Sequence, residues 1–338
     1  MTLRQKLLLV ALCTLALPVA GWLYVRQMEE LLRDGQAQAL IASGGAVARS
    51  LVVGGGLPAG TDMPWYVQRA QTPITVDGYG DDWAPMTPWS QPVGTRGKLL
   101  LATDDTGVYL YLDVRSARRT RGDSGDRNVL AADHVTLVLG RDGGQRRYAI
   151  ASSAPGPVTA TSLDPAAGGL PDQLSAQWQE DGSGYRIELR LPRVDRLGVG
   201  IFDAAGGGSD ANAADIRPLL NYSSQLSGEL SQLLPRGVRA RVLAPQGWLL
   251  AQSGHLGSAA SVGEQPGWFA SLIYRLLLAN RLDDATLWAE DAPRLDLHEV
   301  QSAAKGEPAS VWRQGEARGS VVLAAAVPVL RNGHVDGV

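Results

Sequence analysis

Two cations, Arg4 and Lys6, precede a run without a charged residue from position 7 to position 25. About nineteen residues at ~1.5 Å each make a helix of roughly 28 Å, the thickness of one hydrocarbon core. The pattern predicts a cytoplasmic tail over 1–6 and a transmembrane helix over 7–25, with the bulk of the chain on the far side. A cleaved signal peptide is the other reading, although Pro18-Val19-Ala20 is a poor small-x-small cleavage site. Past the run, Met28, Leu32, Leu40, Val47 and Leu51 approximate one helical face, and Gly54-Gly55-Gly56-Leu57-Pro58 ends it. The segment 26–58 is then either a stalk or a helix packed on its own domain, and spacing leaves both open.

From about Pro73 the period shortens to two. Residues 98–103 and 108–114 form a predicted strand pair across Asp104-Asp105-Thr106-Gly107, and 134–139 with 146–151 form another across Arg141-Asp142-Gly143-Gly144. A third pair, 175–179 and 185–191, spans Glu180-Asp181-Gly182-Ser183-Gly184. Ile74-Thr75-Val76 leads in as a further strand, and 197–202 closes the series. Short strands at this spacing, with no helical period between them, predict a β-sandwich over 68–205.

Gly206-Gly207-Gly208-Ser209 predicts a linker over 206–215. Helical spacing then returns, with Leu219, Tyr222, Leu226, Leu230 and Leu233 on one side, until Pro235-Arg236-Gly237. A hairpin of 238–243 and 248–251, a second helix over 268–280 and a final hairpin across Asn332-Gly333 follow. The segment 216–338 is thus expected to be an α+β module, and Val338 falls inside a predicted strand, as in a truncated domain. The whole is mainly β with an α+β part.

Composition narrows the chemistry. The 338 residues carry 31 Lys+Arg and 34 Asp+Glu, a net charge of −3, which gives no basic footprint for nucleic acid. Cys13 is the one cysteine, so an internal disulfide and a Cys-rich zinc site are both excluded. His134, His255, His298 and His334 lack metal-ligand spacing. No phosphate-binding loop, nucleophile elbow or His-Glu-x-x-His motif is present. No catalytic residue, metal site or cofactor is therefore assigned in this chain. Asp77, Asp81 and Asp82 are weak calcium candidates by ligand type. Their spacing is not that of an EF-hand loop, and Asp77 is better explained as closing a turn on its own backbone.

The ordered pieces Asp77-Gly78, Asp82-Trp83, the 99–112 hairpin, the 133–137 strand and Tyr185-Arg186-Ile187-Glu188-Leu189-Arg190-Leu191-Pro192 resemble the family 9-like carbohydrate-binding domain, over about residues 68–205. Sugar binding in such a domain needs an aromatic ring offering its apolar face. The candidates are Trp65, Trp83, Trp89 and Trp178. Trp83 and Trp178 fall at the family's recurring structural positions, which implies core packing; Trp65 and Trp89 are expected at the surface.

The stretches 239–254 and 325–338 are similar to the first and last hairpins of extracytoplasmic PAS/Cache-like sensing domains. The turn Ala244-Pro245 departs from the Asp common there. Together with the predicted anchor, the pieces resemble the sensor half of a bacterial sensor histidine kinase, of the kind found in proteobacterial dedicated sortase systems. The resemblance implies an inner-membrane protein with its bulk in the periplasm, a homodimer, an unknown periplasmic ligand of which carbohydrate is one class, and a response regulator reached through a kinase core beyond this chain. ATP and magnesium would belong to that core. A membrane-anchored carbohydrate-binding protein without kinase output, and the same ectodomain on a chemoreceptor or cyclase, are the alternatives.

Overall fold

An unbroken helix, α1 (Leu3–Val53), runs through both the predicted membrane span and the predicted stalk. The computed structural model describes residues 3–53, 63–70, 72–104, 106–122, 129–164, 169–205, 208–256, 292–314 and 321–338. Most side chains of the predicted span lie outside the described set. Among the described residues no helix is long and apolar enough to cross a membrane. The described residues form two compact units, one drawn from 1–58, 228–247 and 252–338, the other from 59–227 and 248–251.

The second of these is a large β structure. Its strands are β1 (Trp65–Arg69), β2 (Gln91–Val93), β3 (Gly97–Thr103), β4 (Val108–Arg115), β5 (His134–Arg141), β6 (Gly144–Ile150), β7 (Gly156–Thr161), β8 (Gln173–Glu180), β9 (Gly184–Leu191), β10 (Arg196–Asp203), β11 (Gly208–Ala211) and β12 (Arg217–Asn221). They form one twelve-stranded sheet in the order β6-β5-β10-β12-β1-β3-β4-β9-β8-β7, with β11 on β10 and β2 on β3. A single bridge, Tyr148 to Ser162, joins the two ends of that path. Period-two alternation turns Leu99, Leu101, Leu110, Leu112, Ile187 and Leu189 inward, where they meet Val135, Leu137, Leu139 and Ile201 in one core. The β5–β6 turn holds Asp142 at φ 50° and Gly143 at φ 80°, the left-handed pair that a two-residue hairpin needs.

Three expectations change here. The predicted linker carries β11, paired with β10, and the segment just after it, expected to open the α+β module, is β12, paired with β1 and β10. The helix expected from 219 begins instead at Ser224, because Leu219 and Leu220 are ladder residues opposite Trp65 and Tyr66. Ile74-Thr75-Val76 is not a strand; Ile74 and Val76 lay their side chains on a small apolar cluster instead.

The other unit contains α1 and, later in the chain, α2 (Ser224–Leu233, shared between the units), β13 (Arg239–Leu243), β14 (Leu249–Gly254, also shared), α3 (His298–Ala304), β15 (Ala309–Gln314), β16 (Val321–Ala326), β17 (Val329–Arg331) and β18 (His334–Gly337). β13 pairs with β14, β15 with β16, and β17 with β18. Leu243 and Val338 exchange both backbone hydrogen bonds, at 2.8 and 2.9 Å, which ties β13 to the end of the last hairpin. The helix predicted over 268–280 lies outside the described residues.

The two halves of α1 differ in their surroundings. Ala48 and Leu51 are buried and Leu40 and Val47 half-buried, on the side where α1 packs against β15, β16 and β17. At Gly44 a Cβ would come within 2.6 Å of Val327, so the close approach there needs glycine. Arg33 lies over the Trp312 ring at 5.8 Å. Met28 and Leu32, by contrast, face solvent.

Candidate functional site

Three of the four candidate tryptophans are core residues. Trp65, on β1, is 4% exposed; its Nε1 donates to the Leu197 carbonyl at 2.9 Å, and Arg217 stacks over the ring at 4.4 Å. It was expected at the surface. Its neighbours β3 and β12 are both remote in sequence, so nothing local signalled a central strand. Trp178 stacks on Tyr185 at 4.3 Å and donates to Glu180 at 3.1 Å. Trp83 is fully buried and stacks on Tyr111 at 5.5 Å. Trp89 ends a 3-10 turn over Ala84–Trp89 and is half-buried. None of the four is brought against another. The aromatic side chain most open to solvent in this unit is Tyr79, which sequence reasoning passed over.

The most constrained polar site lies around Glu188. This residue is on β9, and alternation turns it to the face opposite Ile187 and Leu189. Its side chain is sealed from solvent. Oε1 accepts from Trp83 Nε1 at 2.6 Å; Oε2 accepts from the Gly78 amide at 2.7 Å and the Asp77 amide at 3.1 Å. Burial raises the Glu188 carboxyl above its ordinary value, while those three donors pull it down and the nearby Asp77 charge pushes it up. Asp77 Oδ1 accepts from the Tyr79 amide at 2.9 Å, an Asx turn. Gly78 and Gly80 hold φ +86° and +77°; a Cβ on Gly80 would meet the Tyr111 ring and hydroxyl. Asp77-Gly78, Trp83 and Glu188 therefore form one hydrogen-bonded unit. Glu188 was visible in the motif that carries the family resemblance, but its role as the shared acceptor was not.

The calcium candidates do not converge. Asp77 serves its own turn, and Asp82 Oδ2 accepts from the Thr75 amide at 2.8 Å. Among the described residues no three His, Cys, Asp or Glu side chains gather to hold a metal ion.

A second polar centre surrounds Glu180, which accepts from Arg119 at 2.9 Å, Arg121 at 2.7 Å and Trp178. Burial raises its carboxyl, yet the bonds from Arg121, Trp178 and Arg119 bring it below the usual carboxylate range. In the other unit, Arg313 on β15 and Glu299 on α3 make a buried ion pair. Each arrangement ties one segment to another, and in none does a nucleophile meet a base.

No family model matches the chain, and no curated protein matches it.

Proposed function

We propose that the chain is the periplasmic sensory input region of a membrane-bound two-component sensor histidine kinase, which passes ligand or partner binding across the inner membrane. The finer fold assignments belong to this reading: a β-sandwich of the family 9-like carbohydrate-binding kind for the large sheet, and a PAS/Cache-like module for the unit built on β13 to β18. Supporting the first is the meeting of Asp77, Gly78, Trp83 and Glu188, residues that carry the resemblance, in one hydrogen-bonded unit.

The observation that carries the reading is the placement of α1. Its second half packs on β15, β16 and β17, and the same helix continues without a break back to Leu3. A shift of those hairpins on ligand binding would thus reach the predicted membrane span along one rigid element. The mechanism is a population shift: the ligand stabilises one arrangement of hairpins and helix, and the balance changes on the other side of the membrane. A homodimer, a membrane anchor and a response regulator are the partners this reading requires. Trp65, Trp83 and Trp178 are buried, so they offer no face to a pyranose, which favours signal reception over a purely sugar-binding protein.

The test is the product of the whole gene. Coding sequence beyond codon 338 with a second apolar run and a histidine-bearing helix, and a product that incorporates phosphate from ATP on histidine, is the expected result. A stop codon at that point, or a product without ATP-dependent phosphorylation, would overturn it.

A further inference from the structure

Residues 73–89 form a strap across the outer face of the large sheet. Leu99 and Leu101 point into the main core, whereas Leu100 and Ala102 point the other way and join Ile74, Trp83 and Tyr109 in a separate cluster. Val76, Met86 and Tyr111 pack around it. The strap has one 3-10 turn and no ladder hydrogen bonds. What fastens its middle is Glu188, reaching up from β9 to the Asp77 and Gly78 amides and the Trp83 indole.

We propose that Glu188 is a proton-sensitive latch: its carboxyl group fastens the strap, and its protonation state sets how readily the strap, with Trp83, lifts from the aromatic surface of Tyr109 and Tyr111. The inference stands on this unit alone and does not need the kinase reading. Three features carry it. The carboxylate is sealed from water, and among the described residues no cation pairs with it: of the two arginines flanking it on the same face of β9, Arg186 is committed to Asp181 and faces Asp113 at 3.9 Å, and Arg190 donates to the Thr106 carbonyl. The groups facing Glu188 are Asp77 on the strap, Tyr111 on β4, and the amide side chains of Gln177 and Gln179 on β8 beside the turn. Gly78 and Gly80, both at positive φ, form the turn that presents the Asp77 and Gly78 amides to the carboxylate.

The direction follows from burial. In the closed form the carboxylate has lost its hydration, and its affinity for a proton is raised. In the lifted form it is hydrated and titrates as an ordinary glutamate. The closed form therefore binds the proton more tightly, so acid favours closure and rising pH favours lifting.

The experiment follows the Trp83 indole N–H and the Gly78 amide by nuclear magnetic resonance in the isotope-labelled full chain, between about pH 4 and pH 8. The two signals are expected to titrate together, with a midpoint above the ordinary 4.5 of glutamate. Gly78 protection, corrected for intrinsic exchange, should fall as pH rises through that midpoint. Glu188→Gln should abolish the titration of both signals. Asp77→Asn keeps the acceptor for the Tyr79 amide and removes the like charge, so it should fold and should lower the midpoint. A midpoint at or below the ordinary value, a titration that survives Glu188→Gln, or a midpoint unmoved by Asp77→Asn would overturn the latch.

Discussion

Arg313 Nη2 donates to Glu299 Oε1 at 2.6 Å, and both side chains are almost sealed from water. The pair fastens α3 to β15, the strand on which α1 also packs. Removing one partner of a buried pair leaves an uncompensated charge, which costs about 3–5 kcal/mol. Glu299→Ala is expected to lower the urea midpoint of this unit accordingly. Glu299→Leu combined with Arg313→Met should recover most of the loss. A single-variant loss under ~1 kcal/mol would mean that the pair is wet in solution.

Trp83 and Trp178 each donate an indole N–H to a glutamate, but their removal should not cost the same. Trp83→Phe takes one of only three donors from the sealed Glu188. The expected loss is about 1–3 kcal/mol. Trp178→Phe leaves Glu180 with Arg119 and Arg121, so its loss should be the smaller. Parallel urea titrations of the two variants decide the order.

The β8–β9 turn should weaken in acid. Asp181 Oδ1 accepts from the Ser183 hydroxyl and amide and from the Gly184 amide, which with Arg186 holds the carboxyl down at about 2. Its folded value lies below its ordinary 3.8, so its contribution is complete above that value and is lost as pH falls through the folded one. Asp181→Asn should flatten the acid limb of a stability-against-pH curve by lowering stability at neutral pH, while leaving the value at the acid end little changed. An unaltered acid limb would show that the turn does not report this group.

Along α1, position decides effect. Leu51→Ala opens a cavity under a residue only 4% exposed and is expected to cost about 2–5 kcal/mol. Leu32→Ala, on the solvent-facing half, should leave stability within ~0.5 kcal/mol. If the proposed homodimer pairs through that half, Leu32→Cys in a Cys13→Ser background forms a covalent dimer on oxidation and Leu51→Cys does not. Equal cross-linking at both positions would argue against the pairing.

The hairpins were legible because their signals are local. Asp142-Gly143 and Asn332-Gly333 are two-residue turns with both residues at positive φ, between strands of period two. What escaped is non-local. β1 runs parallel to both β3 and β12, so no turn announces it. β12 carries Pro218 and leucines whose spacing also suits a helix, and only its ladder with β1 settles the matter. β7 opens Gly156-Pro157 and is a sheet end, where a proline is tolerated. At the Glu188 site, every residue was present in the motif. Their convergence depends on strap and strand being folded onto each other, which no spacing encodes.

The parallel pairing of β1 with β12 sets Trp65 beside Leu219 and Val67 beside Asn221. The chain thus enters the large sheet and leaves it through neighbouring strands, with the two crossing points only roughly 8 Å apart at the usual strand spacing and rise. A host loop can therefore accept the whole twelve-stranded body as a cassette at little cost to its own path. The same geometry would let an engineer excise the twelve strands with a short bridge from Pro64 to Tyr222, a cut that also removes the Tyr66 ring stacked on Trp248.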